Sequence, residues 1–256
     1  MTLKTAQEIE KMRLAGSVVR EVLTKIEEMC MPGVTTAQLD ELAEAIAAEH
    51  GAATLFKGVR SPYARIPFPG AICSSVNEQV VHGIPSQKAR ISDGDIVSVD
   101  FGVRLNGYCG DAAQTIAVGN ISPIKRKLMD VTMAILDLAV ENIAPGKKWS
   151  EVAALMQAKA ESNGFSVVKE LVGHGIGKEM HESPQVPNFV DRSTLLGDFT
   201  LEPGLVIAVE PMINSGRSAV KTLRDGWTVV TRDGKPSAHF EHTIAVTASG
   251  CDVLTA

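Results

Sequence analysis

The residue pattern points to a mixed α+β body whose two halves are similar and related by a pseudo-twofold axis. Pro32 to Gly51 spans 19 positions and so does Pro145 to Gly164, at an offset of 113. Gly94-Asp-Ile-Val-Ser-Val-Asp100 matches Gly204-Leu-Val-Ile-Ala-Val-Glu210 at an offset of 110, each a β-branched run closing on a carboxylate. Helices echoed by helices and strands echoed by strands at nearly one spacing are what an internal repeat produces. The halves divide at approximately 1–120 and 121–256.

The elements follow in order. Thr5 with Glu8 forms a capping box, and apolar residues then recur at Ile9, Met12, Ala15/Val19, Val22, Leu23, Ile26 and Met29, which predicts a helix ended by Pro32-Gly33. Thr35 with Gln38 opens a second helix through Leu39, Leu42 and Ile46, stopping at Gly51. After residue 120 the grammar returns: Pro123 starts a helix through Leu128, Ile135 and Leu138, Pro145-Gly146 breaks it, and Ser150 is expected to cap a helix running to Gly164. Ile96 to Gly102 reads as a strand, and Asn106-Gly107 is a strong hairpin signal that returns the chain through Tyr108 to Ile116.

Composition limits the function classes. The 256 residues are 45% hydrophobic and 21% charged, the balance of a globular protein rather than a disordered or collagenous one. No stretch approaches the ~20 apolar residues of a membrane span and the first ten residues alternate charge with apolar side chains, so a cytoplasmic location is expected and a membrane is not. The net charge of −5 argues against nucleic acid as the main partner. Cys30, Cys73, Cys109 and Cys251 stand far apart with no C-x-x-C pair, so they are expected as reduced thiols.

The chemistry lies in the acids. In a two-residue hairpin the numbers of paired positions sum to a constant, here 213, so Asp111 opposes Gly102. Asp100 and Asp111 then share a face as diagonal neighbours, about 7–8 Å apart at Cα. Two ionised carboxylates on an apolar sheet call for a cation between them or a proton on one. The second half offers Glu210 at the end of the equivalent strand and Glu241 in the strand after the Asp233-Gly234 turn. Four acids converging at the centre would need about two divalent ions. His174, in Gly173-His-Gly-Ile-Gly177, is a candidate nitrogen ligand on a segment expected to be a loop, since it is too glycine-rich for a helix. Such an oxygen-rich set suits a dinuclear Mn, Fe, Co or Zn pair, and the spacing His174 to His181 excludes an H-E-x-x-H helix.

Val81-His82-Gly83, Val99-Asp100, Gly110-Asp111, Gly173 to Gly177, His181-Glu-Ser-Pro-Gln-Val186, Val209-Glu210-Pro211-Met212 and Phe240-Glu241-His242-Thr243 together resemble a type I methionine aminopeptidase over nearly the whole chain. The resemblance implies a single catalytic domain, 1–256, of the pita-bread fold, an α+β architecture with two pseudo-symmetric halves around a central antiparallel sheet. It implies two divalent metal ions (Co, Mn, Fe, Zn or Ni), with Asp100 on one, His174 and Glu210 on the other, and Asp111 and Glu241 bridging. It further implies removal of the N-terminal initiator methionine from nascent proteins and peptides with a small second residue, by a dinuclear-metal-activated hydroxide, with Glu210 as base. His82 and His181 match family histidines that contact substrate and stabilise the intermediate. Cys73 matches the family pocket cysteine, and Phe68, Met180 and Trp227 fall near or at other pocket positions. The implied partners are a polypeptide with a free N-terminal Met and, transiently, the ribosome, met by a monomer.

Some positions depart from the family pattern. Gly58 to Pro67 is longer than in common bacterial forms, which leaves open how Tyr63 and Arg65 align with the usual pocket aromatic. Met180 stands where an aromatic is frequent, Ala208 where threonine is, and His239 where glutamine is. Three rivals are weighed. Prolidases and proline-specific aminopeptidases share the ligands but usually carry an extra N-terminal domain, and here 81 residues precede His82. Type II methionine aminopeptidases carry an insertion that the 31 positions from Glu210 to Glu241 cannot hold. A non-catalytic relative that recruits RNA or ribosomes would not keep all five ligands on an acidic chain.

Overall fold

The computed structural model describes residues 1–256. Helix α1 (Ala6–Met29) opens on the predicted capping box: the Glu8 amide donates to the Thr5 hydroxyl, and the Thr5 amide to the Glu8 carboxylate at 2.8 Å. Helix α2 (Thr36–Glu49) opens the same way on Thr35 and Gln38. Strands β1 (Ala53–Thr54), β2 (Ile72–Val76), β3 (Gln79–Val81), β4 (Ile96–Leu105) and β5 (Tyr108–Ala117) follow. The second half begins with α3 (Pro123–Asn142), α4 (Trp149–Ser162), β6 (Ser166–Val167), β7 (Gly173–Gly175), β8 (Glu182–Val186) and α5 (Arg192–Leu196). It ends with β9 (Val206–Val209), β10 (Met212–Asn214), β11 (Val220–Thr222), β12 (Val229–Thr231), β13 (Ser237–His239), β14 (His242–Val246) and β15 (Cys251–Val253).

Each half buries its own apolar set under its own helix pair. One core of 21 residues lies wholly between Ala15 and Val118 and joins Val19, Val22 and Ile26 of α1 to Leu39 of α2 and Val97, Val99 and Phe101 of β4. The other, of 26 residues, draws all but Ile96 from Leu128 to Val246. Full burial of one such aliphatic side chain contributes about 1.5–3 kcal/mol, so each core offsets much of the ordering entropy of its own half.

The hairpin forms as its turn requires. Asn106 and Gly107 both take positive φ, 51° and 82°, the type I′ geometry whose twist matches the flanking strands. Pairing then runs from Leu105 with Tyr108 to Ile96 with Ala117 without a bulge, and Gly102 faces Asp111. Two expectations need correction. Lys148, not Ser150, is the N-cap of α4. The Ser150 amide and hydroxyl donate to the Asp198 carboxylate at 3.0 and 2.8 Å, so an acid distant in sequence supplies the acceptors and the negative charge that this helix start favours. The strand echo also ends unequally. β4 continues past Asp100 to Leu105, whereas β9 stops at Val209, because Pro211 has no N–H to extend a ladder.

In the first half β4 pairs with β1, β2 and β5. In the second, β15-β14-β9-β7-β8 form an antiparallel sheet. One backbone bridge, Ala113 with Glu241, links β5 to the β13–β14 junction, with the Glu241 amide donating to the Ala113 carbonyl at 2.8 Å. On either side threonine hydroxyls, rather than backbone pairing, connect the strands. The Thr115 hydroxyl donates to the His239 carbonyl and accepts from the His239 amide, at 2.8 and 2.9 Å. The Thr243 hydroxyl donates to the Asp111 carbonyl at 2.8 Å and accepts from the Asp111 amide at 3.1 Å. This seam is twofold in character, with Thr115 and Thr243 in matching places.

Thr115→Val keeps the shape and removes the hydroxyl, leaving the buried His239 backbone groups unpartnered. It should lower unfolding free energy by about 1–3 kcal/mol in urea titration, and a change within error would show that the seam carries no such weight.

Candidate metal centre and cleft

Strand register puts the predicted acids on one face. Cys73 pairs with Asp100, Asp100 with Ala113, and Ala113 with Glu241 across the seam. Because His242 pairs with Val209, Glu241 falls level with Glu210. Residues directly opposed point the same way, so this row of five crosses both half-sheets on one side. Asp111 stands two before Ala113, and His174 pairs with Ala208, two before Glu210. Side-chain period two therefore brings them to the same face. Gly102 makes room for Asp111: a Cβ there would stand 2.9 Å from Asp111 Oδ1.

Asp100, Asp111, His174, Glu210 and Glu241 all line one cavity of about 230 Å³, together with His82 and His181. Ligand atoms of Asp111, His174 and Glu241 lie within 4.8 Å of one another. His174 Nε2 is 3.6 Å from Glu210 Oε1 and 3.9 Å from Asp111 Oδ2. Two expected placements change. Glu241 sits between β13 and β14 rather than within a strand, and pairs only through its bridge to Ala113. His174 is in strand β7, not a loop. Gly175 serves close packing there, since a Cβ on it would stand 2.4 Å from the Ser183 carbonyl oxygen, and its φ is not positive. His174 Nδ1 lies 2.9 Å from the Gly175 carbonyl oxygen and donates to it, which leaves the Nε2 lone pair facing the acids.

The electrostatics call for cations. Burial, reinforced by the neighbouring carboxylates, pushes Asp100 and Glu241 well above the usual carboxylate range; burial and then Asp111 do the same to Glu210. Asp111 is pushed up to about 7, chiefly by burial. Burial lowers His174 and His82 to about 4, with His181 adding to both shifts, so at neutral pH both imidazoles are uncharged. Of eight buried side-chain polar atoms without a hydrogen-bond partner, four lie here: Asp100 Oδ1, Asp111 Oδ1, Glu241 Oε1 and His239 Nε2. Buried polar atoms normally find partners, so such a concentration marks atoms whose partner is a cation. The donor set fits divalent ions of the Mn-to-Zn series.

The other end of the cavity is apolar. Phe68, Cys73, Trp227 and Met180, anticipated from sequence, line it with Phe56 and Val59, which were not. Phe68 and Trp227 meet edge to face, with ring centroids 5.3 Å apart. Neither Tyr63 nor Arg65 lines the cavity, and Tyr63 is 85% exposed, so Phe56 and Val59 take the place left open above. Burial raises the Cys73 thiol well above its ordinary value, so it acts as a wall rather than a nucleophile. His82 adopts φ 58°, unusual for a non-glycine residue and the kind of strain that collects at working sites. The His174 and His181 rings are 4.3 Å apart. His239, overlooked as a site residue, ends β13 two positions before Glu241; counting by twos from that acid would have found it.

The profile of metallopeptidase family M24 matches residues 10–248. Methionine aminopeptidase 1 of Bacillus subtilis is 45% identical over 252 residues, covering 98% of each chain. A crystal structure of methionine aminopeptidase from Thermotoga maritima superposes with a TM-score of 0.94 at 40% identity, covering 100% of this chain and 99% of that one. An Xaa-Pro dipeptidase from Bacillus anthracis superposes at 0.76 and 25% identity, and there 99% of this chain covers only 61% of the other.

Metal-free protein holds protons on its raised acids, so divalent ions must displace them. Affinity should rise with pH through about 7, the value of Asp111. The same shift makes the metal-free fold bind more protons than the unfolded chain, so its share of stability falls as pH climbs from the ordinary 3.8 towards about 7. Calorimetric titration in buffers of different ionisation enthalpy counts the protons; a heat independent of buffer would contradict this.

Proposed function

The chain belongs to metallopeptidase family M24, and from that premise we propose that it is a type I methionine aminopeptidase that removes N-terminal methionine from chains whose second residue is small. The observation that carries this reading is one cavity with two ends: oxygen-rich and hard where Asp100, Asp111, His174, Glu210 and Glu241 meet, apolar where Phe56, Phe68, Cys73, Met180 and Trp227 meet. A thioether side chain suits the apolar end, since sulfur–aromatic contacts contribute about 0.3–1.5 kcal/mol each. Only the first side chain of a peptide can fill that end while its carbonyl reaches the acids.

Asp100 would hold one divalent ion, His174 and Glu210 the other, and Asp111 and Glu241 both. Bound there, the ions supply Lewis acidity, polarising the scissile carbonyl and making water a nucleophile at neutral pH. Glu210 takes a proton from the attacking water, whose oxygen bonds to the carbonyl carbon, and delivers it to the amide nitrogen, so that the C–N bond breaks and a neutral amine leaves. Its raised proton affinity suits a group that must both accept and release a proton near neutrality. His181 and His82, held neutral by burial, donate N–H to the substrate carbonyl oxygen and backbone without adding a cation beside the metals. The left-handed backbone at His82 aims its ring into the cleft, where the residue lines the wall.

The identity of the ions follows availability among Mn, Fe, Co, Ni and Zn. A monomer that meets nascent chains in the cytoplasm, in transient contact with the ribosome, completes the proposal. The Xaa-Pro alternative fits less well, because the superposition on the Xaa-Pro dipeptidase, at 0.76 and 25% identity, is looser than that on the Thermotoga maritima methionine aminopeptidase, at 0.94 and 40%.

Met-Ala-Ser should be cleaved, and a chelator should abolish the activity, while Met-Lys and Xaa-Pro peptides should be poor substrates. Cleavage of Xaa-Pro but not Met-Ala-Ser would overturn the assignment. His181→Ala should lower kcat by roughly 10²–10³ with metal content unchanged, as for loss of an oxyanion donor. Loss of bound metal would instead make His181 a ligand.

A further inference from the structure

His239 shares its sheet face with Glu241, two positions on, and is buried to 1% exposure. Its Nε2 has no hydrogen-bond partner. That atom stands 3.9 Å from Glu210 Oε2 and 3.9 Å from Glu241 Oε2. These separations exceed the ~2.7–3.2 Å of an N–H···O bond. Two donors that each bind one ion at ~2.0–2.2 Å can, however, stand up to roughly 4 Å apart. His174 has the same relation to its acids, at 3.6 and 3.9 Å, and the two imidazoles approach different oxygens of Glu210.

The seam gives an independent argument. Its local twofold exchanges Ala113 with Glu241 and Thr115 with Thr243, and by the same step exchanges Asp111 with His239. His239 therefore occupies, in the second half, the place that a metal acid occupies in the first. An unpartnered imidazole nitrogen buried between two carboxylate oxygens is placed to share a cation with them.

We propose that His239 is a sixth protein ligand of the metal centre, giving Nε2 to an ion it shares with Glu210 and Glu241, so that this centre holds two imidazoles. This rests on the metalloenzyme reading above. A second nitrogen donor shifts the preference towards Co, Ni and Zn and away from Mn, which favours oxygen.

The test uses the whole chain loaded with one equivalent of Co(II). X-ray absorption fine structure counts the imidazoles bound to cobalt, and equilibrium dialysis measures affinity. Two imidazoles are expected in the wild type and one in His239→Gln, with affinity for Co(II) falling roughly tenfold or more and for Mn(II) falling less. A single imidazole in the wild type overturns the proposal even if the variant binds more weakly, since His239 would then only hydrogen-bond to the acids. Because this count needs no variant, misfolding of His239→Gln cannot obscure it. Cobalt bound without any imidazole, or not bound at all, would bring down the metalloenzyme reading as well; a count of one leaves that reading standing.

Discussion

Mutual repulsion among four carboxylates, brought from two separate cores to one buried face, is the constraint that the rest of the molecule answers. Two unit charges 4 Å apart repel by about 4 kcal/mol at an effective dielectric of 20. Several such pairs together rival the roughly 5–15 kcal/mol that holds a domain folded. The metal-free protein meets the difficulty with protons, which is why Asp100, Asp111, Glu210 and Glu241 all hold theirs more tightly than ordinary acids. A site of this kind is costly to keep unless cations use it, and the same arrangement that strains the fold favours binding of divalent ions.

Function follows from where that site sits. The row of residues holding the acids starts at Cys73, which also walls the apolar end of the cleft, so metal side and side-chain pocket are neighbours on one strand pair. A peptide that filled the pocket with its first side chain, as proposed, would have its first amide beside the acids, and this adjacency suits an exopeptidase reaction. In the proposed roles, His174 and His181, with rings 4.3 Å apart, would mark the boundary between holding ions and handling substrate.

Local chemistry was readable wherever the sequence carried its own geometry. Asn106-Gly107 set the hairpin register, and through it the shared face of Asp100 and Asp111, without any knowledge of the tertiary fold. Thr5 and Thr35 announced their helices correctly because capping boxes close within four residues. What escaped depends on partners far along the chain. Ser150 looked like a cap, but its helix start is served by Asp198. His174 looked like a loop residue because glycines that pack against Ser183 and Ala208 cannot be told from glycines that bend. Phe56 and Val59 became pocket walls only once the segment after them folded outward, carrying Tyr63 into solvent. The family resemblance brought these distant residues together on paper; the register explains why they meet.

The threonine seam also has a mechanical meaning. Two well-packed cores are tied across β5 by a direct backbone bridge flanked by hydroxyl spacers, and beside it by the pairing of β3 with β12. Ions held, as proposed, by acids from both lobes would straddle that joint and act as rivets. Stripping them should weaken the joint as well as remove the chemistry, so that metal loading sets how firmly the two halves are held together.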